Sequence, residues 1–178
     1  MGETMGLKNA ILYLASLSIF GFFFGRILPK PWFRWDAFPY RAFAFERDGR
    51  IYDKVKIKFW QNKVPDMSRI LSGTMPKKEL PKNPMPSHIE DMLRENCVAE
   101  FTHSLLGLFG MYAMKLWPGS GGVILSMLYL IVGNVPFIII QRYNRPRLKR
   151  LYIRLTNRGC PTTNQCEEYP YARTDPVL

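Results

Sequence analysis

Long apolar runs and long cationic runs divide this chain, with little mixing between them. Asn9 to Gly25 contains no charged residue, and neither does Leu116 to Gln141, whereas Lys and Arg crowd the stretches between and after. The run ILYLASLSIFGFFFG is followed by Arg26, Lys30, Trp32, Arg34 and Trp35. No small-residue cleavage site closes it and the aromatics suit a headgroup belt, so it reads as a retained spanning helix of about 20 residues. A second span is expected over roughly Phe101 to Trp117, ending in the tight turn Trp117-Pro118-Gly119-Ser120-Gly121-Gly122. A third, Gly121 to Gln141, is long enough at ~1.5 Å per residue to cross a hydrocarbon core of ~30 Å. The pattern therefore predicts an all-α integral membrane protein with about three transmembrane helices, plus amphipathic or interfacial cytoplasmic segments.

From Pro29 to Pro86 aromatics alternate with cations, and Pro39, Pro65, Pro76, Pro81, Pro84 and Pro86 forbid one long helix. Phe43 to Trp60 holds an Asp48-Gly49 turn, after which Val55, Ile57 and Phe59 alternate with Lys54, Lys56 and Lys58. That period fits either a strand or an amphipathic layer lying on a bilayer surface, greasy on one side and cationic on the other. Ser87-His88-Ile89-Glu90 has the spacing of a capping box, and the helix it opens is expected to run through Met92, Leu93 and Cys97 into Phe101. The chain then parses into four parts: an N-terminal transmembrane helix (1–28), a basic aromatic cytoplasmic or interfacial segment (29–86), an amphipathic helix with a transmembrane hairpin and basic end (87–158), and a loosely packed tail (159–178).

Composition alone would mislead, because 178 residues with 47% apolar content and a mean hydropathy near zero could describe a soluble domain. Charge adds orientation. The net charge is +11, and of 25 Lys and Arg all but Lys8 and Lys115 fall either from Arg26 to Arg94 or after Gln141. Both basic regions are thus expected in the cytoplasm, with the N-terminus and the Pro-Gly turn outside, in a multi-pass protein of the cell membrane. Anionic lipid and phosphate-bearing substrates suit such a charge. Nucleic acid does not, since no helix-turn-helix, finger or ribonucleoprotein pattern accompanies it. Cys97, Cys160 and Cys166 would all lie on the reducing side as free thiols, and their spacing does not make a zinc site.

Two polar groups sit where spans meet the interface. Glu100 and His103 are three apart and share a helix face, continued by Ser104 and Gly107. A carboxylate beside an imidazole fixes a tautomer and raises its basicity, as general-base chemistry on a hydroxyl requires; the same pair also reads as an ion pair marking a helix boundary. Asn134, Gln141 and Arg145 are separated by seven and then four residues, which at ~100° per residue aligns them within about 20°. Pro136 frees the carbonyl of Val132 and Gly133 permits bending, so a kinked helix is expected there. Lipid leaves polar groups unpaired, so this stripe should face the other helices. The hairpin would bring both groups to one cytoplasmic level on adjacent antiparallel helices. Arg142, Arg145, Arg147, Lys149, Arg150, Arg154 and Arg158 follow without an intervening acid, as a topology signal or as forks for phosphate and carboxylate.

The first apolar span, F-P-Y-R-A-F-A-F-E-R-D-G-R-I-Y-D-K-V-K-I-K-F-W-Q-N-K-V-P-D, then A-E-F-T-H, then N-V-P-F-I-I-I-Q-R-Y-N-R-P-R-L together resemble the bacterial glycosyl-4,4'-diaponeurosporenoate acyltransferase family, over about Ile19 to Leu151. The resemblance implies esterification of a sugar hydroxyl on a glycosylated carotenoid by a fatty acyl group. It places Tyr143 and Asn144 in the substrate-binding motif beside Asn134, Gln141, Arg142, Arg145 and Arg147. The His-x-x-x-x-Asp pair of the large glycerolipid acyltransferase group is missing, because neither His88 nor His103 has Asp five residues on. The expected enzyme is a membrane-embedded O-acyltransferase with His103 as general base, Glu100 orienting it, and Asn134 and Gln141 holding the acceptor or the oxyanion. Arg142, Arg145 and Arg147 would hold the phosphates of the acyl donor. Its partners would be a membrane lipid or glycolipid acceptor and acyl-CoA or another acyl donor as co-substrate, with no metal and no cofactor. A homodimer would give a three-helix chain fuller cover for a lipid cavity. A non-catalytic membrane subunit whose stripe binds a partner helix, or a small membrane methyltransferase or reductase, are the competing readings.

Overall fold

The uncharged N-terminal run forms one long helix, α1 (Gly2–Ile27), from which the chain drops into an aromatic, proline-punctuated segment. This computed structural model describes residues 2–64 and 84–158. The segment after α1 is built from short tight turns, Lys30–Trp32, Ala44–Asp53 and Gln61–Lys63, around a single helical turn, α2 (Ile57–Trp60). Then come α3 (Pro86–Gly110), the one-turn α4 (Ala113–Leu116), α5 (Ser120–Ile131) and α6 (Val135–Arg158). Every regular element among the described residues is helical.

The alternating stretch 51–60 is therefore not a strand but a succession of helical turns. Lys56 sits in the left-handed region at φ 51°, which interrupts extended geometry midway through the alternation. Of the three apolar residues that alternate with lysines only Ile57 is buried, while Val55 and Phe59 stay exposed. The capping box also differs from expectation. Met85 is the N-cap and Pro86 opens α3, so Ser87 lies inside the first turn and Glu90 pairs with Arg94 one turn on at 2.5 Å. Proline suits that first position because its missing N–H has no partner to lose.

Helix α3 continues from its polar N-terminal half into the apolar half without a break, as the pattern predicts, and packs mainly along α6 and secondarily on α1. The hairpin follows from Gly119, whose φ of 110° only glycine adopts freely, and from Gly122, where a Cβ would collide with the Trp117 carbonyl. The expected third span is broken at 132–134 into α5 and α6. Two stretches, Glu3–Ile27 and Ser120–Asn157, are long and apolar enough to cross a membrane, against three expected. Their most apolar windows are only 17% and 11% buried, so Phe20, Phe23, Ile124, Leu128 and Ile131 point away from the protein.

Two apolar clusters hold the helices. At one end, Phe33 and Trp35 pack on Ile89, Leu93, Cys97 and Val98 of α3 and Leu148 and Tyr152 of α6. At the other, Ala10 and Leu14 of α1 meet Ala113, with Trp117, Leu125 and Tyr129 around them. Glu100 and Thr102 of α3 and Gln141 and Arg145 of α6 lie in the stretch between these clusters, as does Asn134. Helix α1 ends at Ile27 and α3 starts at Pro86, while residues 159–178, with Cys160 and Cys166, lie outside the described residues, as do Pro65, Pro76 and Pro81.

Candidate functional site

The helix break at 132–134 is the local event that builds the site. Pro136 has no N–H for the carbonyl of Val132, so the chain bends and the side chain of Asn134 turns inward. Asn134 is only 2% exposed, and its Nδ2 donates to the carbonyl oxygen of Tyr129 at 2.9 Å. On its other side Asn134 Oδ1 stands 3.1 Å from His103 Nδ1 on the facing helix α3. The imidazole lies flat on Phe137, with ring centroids 4.4 Å apart and planes 5° from parallel. A histidine and a carboxamide are thus drawn together from positions 31 apart in sequence.

One turn below, toward the polar end of α3, four charged side chains interlock. Arg142 Nε donates to Glu46 Oε1 at 2.6 Å and Arg142 Nη1 to Glu100 Oε1 at 2.6 Å, while Arg145 Nη2 donates to Glu100 Oε2. Arg145 Nη1 also donates to the backbone carbonyl of Tyr40 at 2.6 Å. Two carboxylates and two guanidiniums compensate one another, which is the condition for burying them at all. Their side chains are no more than 12% exposed. The Arg142 guanidinium further covers the Phe43 ring at 4.7 Å.

Glu46 anchors the aromatic segment into this lattice. Its Oε2 accepts from the backbone N–H of Phe43 at 2.8 Å and its Oε1 accepts from the Tyr52 hydroxyl at 2.5 Å. Burial pushes the Glu46 carboxyl up, but the hydrogen bonds from Arg142, Tyr52 and Phe43 outweigh it and hold the group below its ordinary range. The same burial, together with the bond to Glu46, drives the Tyr52 phenol upward. Tyr40 is pushed up to about 12, chiefly by burial. Burial likewise lifts the Cys97 thiol to about 11, so it stays protonated and is no nucleophile.

The residues expected to form one pocket thus occupy two levels. Asn134, in the break before α6, and Gln141 and Arg145 within α6 are all buried. His103 meets Asn134, whereas both oxygens of Glu100 are held by Arg142 and Arg145. Arginine side chains reach back along α6 to do this, which is how positions 142 and 145 serve a carboxylate near the level of 141. Tyr143 is buried under the Arg147 guanidinium, 3.4 Å from its ring centroid, and Asn144 is half-buried beside it. Arg147 Nη1 donates to the Tyr143 carbonyl at 2.7 Å, and Nη2 stands 4.0 Å from Asp53. Glu46 was not among the expected site residues. Its signal was an acid inside a strongly basic segment, within the motif F-A-F-E-R-D-G.

The family model described as glycosyl-4,4'-diaponeurosporenoate acyltransferase matches residues 29–154, a range that holds every side chain of the lattice and the His103–Asn134 pair. A protein named glycosyl-4,4'-diaponeurosporenoate acyltransferase from Staphylococcus aureus strain N315 is 31% identical over 137 residues, covering 76% of this chain and 81% of the relative. Those of strains USA300 and NCTC 8325 are 29% identical over 136 residues, with the same shares covered. No solved structure matches the chain significantly. By the extent of the family match and the identity to these relatives, this chain belongs to the glycosyl-4,4'-diaponeurosporenoate acyltransferase family.

Proposed function

We propose that the protein is a membrane-embedded O-acyltransferase that esterifies a sugar hydroxyl of a glycosylated carotenoid or similar glycolipid at the cytoplasmic interface. The acceptor class is taken from the names of the relatives, and the membrane setting from the outward apolar faces of α1 and α5. A water-soluble fold would gain ~25 cal/mol for each Å² of such surface it buried, and leaving it outside fits hydrocarbon surroundings. The basic segment 29–86 and the C-terminal end of α6 then face the cytoplasm.

The observation that carries the reading is the contact of His103 with Asn134 in a fold that leaves no other histidine near the family's last motif. His103 takes the proton of the acceptor hydroxyl as its oxygen attacks the acyl carbonyl of acyl-CoA or another activated donor. The bond to the donor's leaving group breaks, and the proton passes from the imidazole to that group. Gln141, buried like Asn134, supplies a carboxamide for the acceptor or the developing oxyanion. Arg142 and Arg145 are already compensated by Glu46 and Glu100, so they and Glu100 act as the frame. Arg147, at 36% side-chain exposure, is the member of the arginine series placed to meet an anionic donor, with Tyr143 and Asn144 beneath it.

The test is lipid mass spectrometry of cells that make the glycosylated acceptor, with and without this protein. The reading expects one glycolipid class to gain an ester-linked acyl chain only when the protein is present. An unchanged lipid profile would contradict it.

A further inference from the structure

We infer that Asn134 is the positioning residue of the acyl-transfer site, accepting a hydrogen bond from His103 Nδ1 and thereby keeping the imidazole's basic lone pair on Nε2. The inference deepens the proposed function and rests on His103 being the general base.

The argument starts at the carbonyl of Tyr129, 2.9 Å from Asn134 Nδ2. A carbonyl oxygen has no proton to give, so the amide atom facing it must be the NH₂ group; a flipped amide would set two oxygens against each other. With that end fixed, the atom facing His103 at 3.1 Å is Oδ1, which can only accept. Nδ1 must then be the donor. A neutral imidazole carries one proton, so Nε2 holds the lone pair. Histidine free in water prefers the opposite arrangement, with its proton on Nε2, and the protein reverses that preference with one carboxamide.

Three features hold the arrangement. Asn134 is 2% exposed, so bulk water does not compete for its oxygen. The stack on Phe137, 4.4 Å and 5° from parallel, fixes the plane of the ring, and a half-turn within that plane would replace Nδ1 by a carbon and lose the bond. Pro136 and the break it causes hold Asn134 in its inward position. Glu100, the nearest acid in sequence, has each carboxylate oxygen engaged by an arginine. The orienting role that a carboxylate fills in many base pairs therefore falls to an amide. An amide orients the ring without adding a charge that would be costly to desolvate.

The experiment uses full-length protein with ¹⁵N-labelled histidine in liposomes, observed by solid-state NMR at about pH 8.5, where an imidazole of ordinary pKa is neutral. The chain has two histidines, and His88→Gln removes the signal of the other, an exposed residue in the first turn of α3. We expect His103 with Nδ1 protonated and Nε2 bare, and a shift of population toward Nε2–H in Asn134→Leu. The same variant should lose about tenfold or more in kcat, within the ~10²–10⁴ range of general-base catalysis, with KM changed less than about twofold. Asn134→Asp, which keeps an acceptor toward the ring, should keep the proton on Nδ1. Nε2–H in the unsubstituted protein, or a tautomer unmoved by Asn134→Leu, would overturn the inference. The spectrum of the unsubstituted protein decides even where Asn134→Leu fails to fold. Full activity of His103→Ala would refute the base assignment instead, without touching the spectrum.

Discussion

Arg142 Nε and Glu46 Oε1 meet at 2.6 Å across 96 residues of sequence, tying the aromatic segment to the helix that carries the family's last motif. Through its second nitrogen the same guanidinium reaches Glu100 on α3, so one side chain joins three parts of the chain. Glu46→Gln would leave Arg142 half compensated in a buried setting. We expect a loss of about 3–5 kcal/mol, the range for breaking a buried pair from one side, read as a lower unfolding midpoint in detergent. Arg142→Lys in the parent protein should also lower the midpoint, because an ammonium cannot present the planar fork that spans two carboxylates. An unchanged midpoint for Glu46→Gln would show the lattice to be ornamental.

The lattice also sets an acid limit. The Glu46 carboxyl in the folded protein lies below its ordinary value of 4.5, because its hydrogen bonds from Arg142, Tyr52 and Phe43 outweigh burial. A depressed carboxylate contributes stability that is fully present above the unfolded value and is lost as pH falls through the folded one. Unfolding midpoints followed downward from pH 6 should therefore begin to drop below about pH 4.5, and Glu46→Gln should flatten that part of the profile. A profile in which Glu46→Gln falls as steeply as the parent would contradict this.

Glu100 and His103 should separate cleanly, although they are three residues apart. Glu100→Gln strips the shared counter-charge from two buried arginines and should lower abundance and thermal midpoint together. His103→Ala removes the bond to Asn134 and the stack on Phe137 but no charge of the lattice, so both should fall less than in Glu100→Gln while acyl transfer drops by ~10²-fold or more. Immunoblots and unfolding curves of membrane preparations, beside activity, measure the two effects. Equal losses of protein in both variants would count against the division into frame and chemistry.

Arg147 lies on the Tyr143 ring at the rim rather than in the lattice. Arg147→Gln should raise KM for a phosphate-bearing acyl donor by about five- to tenfold, the loss of one charge-assisted contact, with kcat little changed. The KM difference should shrink as salt rises, because an exposed guanidinium is screened. A KM indifferent to both substitution and salt would move the donor elsewhere.

The sequence made some of this plain and hid the rest for physical reasons. The spaced polar residues Asn134, Gln141 and Arg145 were legible as buried, because unpaired amides and guanidiniums avoid lipid, although Asn134 lies in the break before α6 rather than on its face. Pro136 announced the bend for the same kind of reason, since a missing N–H has only local consequences. Side-chain pairing was less legible. Glu100 and His103 share a face, yet the long reach of Arg142 and Arg145 takes Glu100 away, and the inward turn of Asn134 gives His103 its hydrogen bond. Glu46 escaped notice because its partner is 96 positions away and no periodicity links them. The stretch around Lys56 left a strand and an amphipathic layer open, because alternation alone does not show where the backbone turns left-handed, as it does at Lys56.

The most direct measurement is transfer of a radiolabelled acyl chain from acyl-CoA to a glycosylated carotenoid in proteoliposomes holding the purified protein, run beside His103→Ala at equal protein. The account predicts a labelled ester, released by mild alkali, with the unsubstituted protein and at most about one hundredth of it with the variant. A labelled ester formed equally by both proteins, or by neither when the acceptor and donor are demonstrably present, would contradict it.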